Sequence, residues 1–106
     1  MNGSIPSLTH ELKAGLEAVY GYRLKGVYLY GSYSRGEADS ESDVDVLVIL
    51  DQIPNYGVEI DRTSLLNAEL SLRYGVSISR VFISAQAWQR HETPFLLNVY
   101  EEAVPT

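Results

Sequence analysis

The sequence predicts an α/β domain, α+β in its details: a small mixed β-sheet with helices packed on one side. Three observations carry that expectation. Helical-period and strand-period segments alternate along the chain in the order α-β-(α)-β-α-β-α. The run Asp43 to Leu50 (DVDVLVIL) is β-branched and apolar enough to be a central strand. The length, 106 residues, is enough for one core and one domain, residues 1–106.

Each element has its own signal. Leu8, Leu12, Leu16 and Val19 recur at helical spacing and Gly21 follows as a stop, so a helix is expected from about Ser7 to Tyr20. Gly26 to Tyr30 (GVYLY) reads as a short strand, and Gly31 to Gly36 (GSYSRG) as a turn leading into a short helix or loop. Glu37 to Ser42 (EADSES) is acidic and polar, hence a solvent-facing loop. After the Asp43–Leu50 strand, Pro54, Asn55 and Gly57 mark another loop. Leu66, Leu70 and Tyr74 then share one face of a second long helix, from Asp61 to Tyr74, closed by Gly75. Val76 to Ile83 alternates as a third strand. Ser84 is placed to cap a short helix over AQAWQRH, and Pro94 opens a last helical turn or two, PFLLNVYEEA.

Composition narrows the function. At 45% hydrophobic and 21% charged residues the chain is ordinary for a globular protein, so disorder and collagen-like repeats are excluded. There is no cysteine, hence no disulfide framework and no thiolate metal site. Met1 to Gly15 lacks the pattern of a secretory signal, and no apolar run approaches the roughly 20 residues that span a bilayer. A cytoplasmic protein without membrane partners is the expectation. The net charge of −6 disfavours free nucleic acid as a partner. A local acidic cluster can nevertheless bind Mg²⁺ and, through it, a phosphate.

Tyr30 to Leu50 holds the chemistry. Asp43 and Asp45 lie two apart on a strand, so their carboxylates share a face, with Cα atoms about 6–7 Å apart. Val44 and Val46 point the other way, into the core. Two like charges held together repel unless a cation lies between them. Oxygen-only donors suit Mg²⁺, which is commonly held by one or two carboxylates plus substrate phosphates. Gly31 and Ser32 follow a strand directly. Glycine permits close backbone approach to a bulky anion, and exposed N–H groups at such a turn form an anion site. The Ser32 hydroxyl can donate to a phosphate oxygen, Arg35 adds a charged donor, and Gly36 lets the chain turn away.

The run Gly31-Ser32-Tyr33-Ser34-Arg35-Gly36, six further residues, then Asp43-Val44-Asp45, resembles the signature of the minimal nucleotidyltransferase (MNT) group. That group belongs to the DNA polymerase beta-like nucleotidyltransferase superfamily, with poly(A) polymerase and kanamycin nucleotidyltransferase. The resemblance covers nearly the whole chain and implies that fold. It implies that Gly31 and Ser32 hold a triphosphate and that Asp43 and Asp45 are the catalytic metal ligands. It implies Mg²⁺ as cofactor and ATP as substrate. Small members of the group pair with an all-helical HEPN protein in toxin–antitoxin modules. The MNT protein is the antitoxin there, in some cases by transferring AMP to a tyrosine of the toxin. A weaker or inactive nucleotide-binding antitoxin that neutralises its partner by binding is the alternative.

The chain departs from the family pattern in one respect. Catalytic members carry a third carboxylate on a neighbouring strand, and Val76 to Ile83 contains no Asp or Glu. Ser77 and Ser79 share a face with Val81 and Ile83, with Arg80 on the other, so a serine is expected in the acid's place. Glu59 and Asp61 are the other acids that could take that role, from a loop. His10 and His91 read as surface residues, Trp88 and Phe95 as packing or partner-contact residues, and Arg73 and Arg80 as members of surface ion pairs. Most of the eight tyrosines should pack with their hydroxyls outward, and Tyr33, beside Ser32, is a candidate to line the nucleotide site.

Overall fold

The computed structural model describes residues 4–34, 36, 43–91 and 93–106, and of Ser32 the backbone alone. Arg35 and the acidic 37–42 stretch lie outside the described residues. The elements are α1 (Ile5–Tyr20), β1 (Leu24–Tyr30), β2 (Val44–Leu50), α2 (Tyr56–Tyr74), β3 (Ile78–Ser84), α3 (Ala85–Arg90), α4 (Pro94–Glu102) and β4 (Val104–Pro105).

Both long helices start earlier than hydrophobic spacing indicates, because polar caps rather than apolar residues fix their first turns. The Ser4 hydroxyl accepts from the Ser7 N–H, and Pro6 sits in the first turn, where its missing N–H costs nothing. Asn55 accepts from the Val58 N–H, so the Pro54–Gly57 segment holds the cap and first turn of α2 rather than a loop alone. Gly75, at φ +66°, closes α2 in the left-handed conformation.

The sheet order is β3-β2-β1-β4. β1 runs antiparallel to β2 and to β4, whereas β2 and β3 are parallel, so the sheet is mixed. Central β2 is covered on both faces, which explains its nearly unbroken apolar sequence. Val44, Val46, Val48 and Leu50 share one core with Val27, Leu29, Ile78 and Phe82 of the sheet, Leu8, Leu12 and Leu16 of α1, and Leu70 and Tyr74 of α2. Leu47 and Ile49 face the other way, with Tyr30 and Val99 and with half-buried Tyr28, Val81, Ile83 and Trp88. The expectation of helices on one side therefore holds for α1 and α2 and needs correction for the rest. α3 and α4 bring Trp88 and Val99 to the opposite face, and the C-terminal residues add β4, which the sequence did not announce. Edge strand β3 is tied to α2 by Arg80, which donates to Thr63 Oγ1 (2.7 Å) and the Ile60 carbonyl (3.0 Å). Arg80 thus packs inward instead of joining a surface ion pair. Arg73 does form one, with Glu11.

A charge cluster pins the start of β1 to the end of β2 and the first turn of α2. Arg23 donates to Asp51 (3.1 Å), Glu59 (3.2 Å) and the Gln52 carbonyl (3.0 Å), and the Tyr20 hydroxyl donates to Glu59 (2.9 Å). Glu59 is only 2% exposed. Burial, reinforced by this bond to Glu59, pushes the Tyr20 hydroxyl well above the ordinary phenol range.

Candidate active site

The opposite end of the same strand pair carries the sequence-marked residues. β1 ends at Tyr30, and residues 31–33 form one turn of 3-10 helix. The Gly31 carbonyl accepts from the Ser34 N–H (3.1 Å) and from the Ser34 hydroxyl (2.7 Å), which tightens the turn. Gly31 has φ +74°, a conformation that favours glycine. A second constraint is spatial. A Cβ on Gly31 would lie 2.3 Å from Asp45 Oδ2, so any side chain here would collide with the aspartate. Glycine at this position is what lets the Asp45 carboxylate rest against the turn.

Strand register supplies the rest. Asp45 is the cross-strand partner of Tyr30 on one side and of Ser79 on the other. By alternation it faces away from the α1–α2 core, as do Tyr30 and Leu47. Asp43 is exposed and sits just before β2, where the Val44 N–H to Ser77 carbonyl bond (2.8 Å) starts the pairing with the β3 side. The structure therefore brings Gly31, Asp45 and Ser79 together, with Asp43 at the entrance. The Ser32 side chain and Arg35 are outside what it describes. Of the two serines weighed for the place of the absent acid, Ser79 is the one directly beside Asp45.

The other acids are elsewhere. Glu59 lies inside α2, bonded to Tyr20 and Arg23 at the far end of β1, and Asp61 follows on the same helix. Neither is a substitute from a loop. Tyr33 packs against the α1–α2 core instead of lining the face that holds Asp45. His10 is exposed as expected, whereas His91 stacks edge-on to Tyr100 with centroids 4.0 Å apart, beside Trp88.

Two residues at this end carry no local sequence signal. The Tyr30 hydroxyl is pushed up to about 12 by burial and, next, by the Asp45 charge, with smaller contributions from Tyr56 and Glu102. It stays neutral at physiological pH and cannot act as a base there. Glu102, the last residue of α4, accepts from the Gly31 N–H at 3.1 Å through Oε1. That contact spans 71 positions of sequence, so only the folded chain reveals it.

Among the described residues no group of three acidic, histidine or cysteine side chains gathers around one point. The donor set is two carboxylates on one strand end beside a turn with an anion-seeking amide. Mg²⁺ fits that set, since it takes oxygen donors and commonly completes its octahedron with water and substrate phosphate.

A strand–turn–strand unit that sets a glycine turn against a strand carboxylate is the architecture of a nucleotidyl-transfer domain. The chain belongs to the nucleotidyltransferase domain family, whose model matches residues 11–87. It is 34% identical over 93 residues, 87% of each chain, to a Methanocaldococcus jannaschii protein provisionally named a protein adenylyltransferase. It is 42% identical over 69 residues to the protein adenylyltransferase MntA of Thermococcus cleftensis, covering 65% of this chain and 68% of that one. Among solved structures, one provisionally assigned as a minimal nucleotidyltransferase superposes with TM-score 0.62 at 25% identity, over 98% of this chain and 97% of that one. A toxin–antitoxin structure with AMP-PNP superposes with TM-score 0.59 at 19% identity, over 89% of this chain and 68% of that one, a likeness of fold alone. No described helix is long and apolar enough to cross a membrane.

Proposed function

We propose that this chain is a Mg²⁺-dependent protein adenylyltransferase that moves AMP from ATP to a hydroxyl of a protein partner, a tyrosine of an all-helical HEPN-type toxin, and so acts as its antitoxin. The observation that carries this reading is the seating of the Asp45 carboxylate against the Gly31 turn, with Asp43 two residues before it. The adenylyltransferase names of two relatives support the reaction class. The AMP-PNP-bound toxin–antitoxin structure of similar fold supports the nucleotide and the setting.

In this mechanism Asp43 and Asp45 hold Mg²⁺, which supplies charge neutralisation at the triphosphate. The Gly31 and Ser32 amides orient the phosphates, and Arg35 adds positive charge. The partner's phenol oxygen attacks the α-phosphorus in line, forming the new O–P bond. The bond to the bridging oxygen breaks and pyrophosphate leaves with the electron pair, while the phenol proton passes to solvent. The chain's own residues position and stabilise charge without forming a covalent intermediate.

One observation favours a second reading, in which the chain binds nucleotide and neutralises its partner by occlusion. Ser79, not an acid, stands beside Asp45. Incorporation of labelled AMP into the purified partner separates the two readings. The enzyme reading expects transfer by the wild type and at least a hundredfold less by D43N/D45N, on the order of what removing a charge-stabilising group costs. Neutralisation that persists fully in D43N/D45N, with no transfer by the wild type, would overturn it.

A further inference from the structure

Gly31 offers the amide that the proposed function gives to a phosphate oxygen, and in the nucleotide-free fold a protein carboxylate already accepts from it. The contact is a 3.1 Å bond from the Gly31 N–H to Glu102 Oε1. A carboxylate is the side chain closest to a phosphate in this role, an anionic oxygen acceptor for backbone N–H groups. Glu102 is also held in place from both sides. The Ala103 N–H returns to the Val99 carbonyl (2.7 Å) at the end of α4, and Val104 then pairs with Leu29 in β4. Asp45 Oδ2 packs on the same glycine. Two carboxylates thus meet at one residue, the glycine whose amide the proposed function gives to a phosphate. Glu102 lies beyond residues 11–87, the part of the chain that matches the family.

We propose that Glu102 is a built-in competitor for the phosphate turn, occupying the Gly31 amide until a triphosphate displaces it. The inference rests on the reading of Gly31 as part of the phosphate site. Its consequence is that nucleotide loading and the position of the α4–β4 junction are coupled. The nucleotide must break a charge-assisted hydrogen bond before it gains its own. Weaker loading is the expected result for any ligand that uses this amide, with or without a base attached.

The test uses the full chain and two probes, inorganic tripolyphosphate with Mg²⁺ and AMP-PNP with Mg²⁺. Affinities are measured by calorimetry for wild type, E102A, E102Q and E101A. Glu101 is exposed and adjacent, so E101A makes the same change in net charge without touching Gly31. E102A should bind both probes about tenfold more tightly than wild type, the equivalent of one net charge-assisted hydrogen bond. E102Q, which keeps an acceptor but loses the charge, should fall between them, and E101A should stay within about twofold of wild type. The Gly31 amide should exchange faster in ligand-free E102A and not in E101A. E102A binding no tighter than E101A overturns the proposal and leaves Glu102 as an anchor for α4. Absence of tripolyphosphate binding in every variant instead overturns the assignment of the Gly31 turn, and this proposal with it. E102Q keeps the test valid if E102A is too unstable to measure.

Discussion

The two ends of the β1–β2 pair use carboxylates in opposite ways. At the Arg23 end, Glu59 is buried and bonded to Arg23 and Tyr20, with Arg62 3.6 Å away, and Asp51 is bonded to Arg23. Burial works against the Asp51 charge, but the Gln52 N–H and Arg23 outweigh it, and its carboxyl is held below the usual range. At the Gly31 end, Asp45 and Glu102 converge on a glycine turn, both half-buried, and Asp43 lies exposed before them. The difference teaches what each cluster is for. A buried carboxylate matched by cations and hydroxyls locks elements together. Under the proposed function, the carboxylates gathered at the glycine turn instead serve a ligand that arrives with Mg²⁺.

Substitutions at the two ends should therefore fail in different assays. The largest effect on stability is expected for R23M, which removes the cation nearest the buried Glu59 and leaves it only the Tyr20 hydroxyl and the more distant Arg62. Loss of these charge-assisted hydrogen bonds should lower unfolding stability by about 2 kcal/mol. Triphosphate affinity of the folded fraction should not change. Denaturant melts and calorimetry check both halves, and a loss of affinity without a loss of stability would dissolve the comparison.

G31A should act at the other end. The left-handed backbone strains any residue with a Cβ by about 1–2 kcal/mol, and the new methyl meets the Asp45 carboxylate. Stability should fall modestly while Mg²⁺-dependent nucleotide binding is lost. Retention of wild-type affinity would show that Asp45 need not rest on the turn.

The smallest change sharpens the contrast at Ser79. S79D places a third carboxylate beside Asp45 and should destabilise the metal-free protein by about 1 kcal/mol, the scale of a like-charge cross-strand pair. Mg²⁺ or Mn²⁺ should restore the loss, because a ligand that binds only the folded state stabilises it. S77D is the control, since Ser77 lies outside β3 and its register with β2. Melting temperatures with and without metal decide the matter. Equal behaviour of the two variants would remove Ser79 from the acid's place.

Much of this contrast was legible in the chain before folding. The β2 strand declared itself through its apolar, β-branched-rich run, broken only by Asp45, and the Gly-Ser turn and paired aspartates through spacing and residue type. The helix starts were not legible from apolar periodicity, because Ser4 and Asn55 set them by hydrogen bonding. Helices α3 and α4 were legible from their Ser84 and Pro94 starts, but the face of the sheet they cover was not, because helical spacing alone does not say on which side of a sheet a helix packs. Glu102 and Tyr30 escaped for a different reason. Their roles come from contacts across the sheet, and neither the Glu101-Glu102 pair nor a tyrosine at a strand end has a local pattern that announces them. Ser79 was narrowed to two candidates by alternation, and register with Asp45 singles out one.

The most direct test of the account is calorimetric titration of Mg²⁺–ATP into wild type and D43N/D45N, with a parallel titration lacking Mg²⁺. The account predicts binding by the wild type that depends on Mg²⁺, and loss of the Mg²⁺-dependent part in the double variant with folding unchanged. Equal affinity of wild type and double variant, at equal stability, would contradict it.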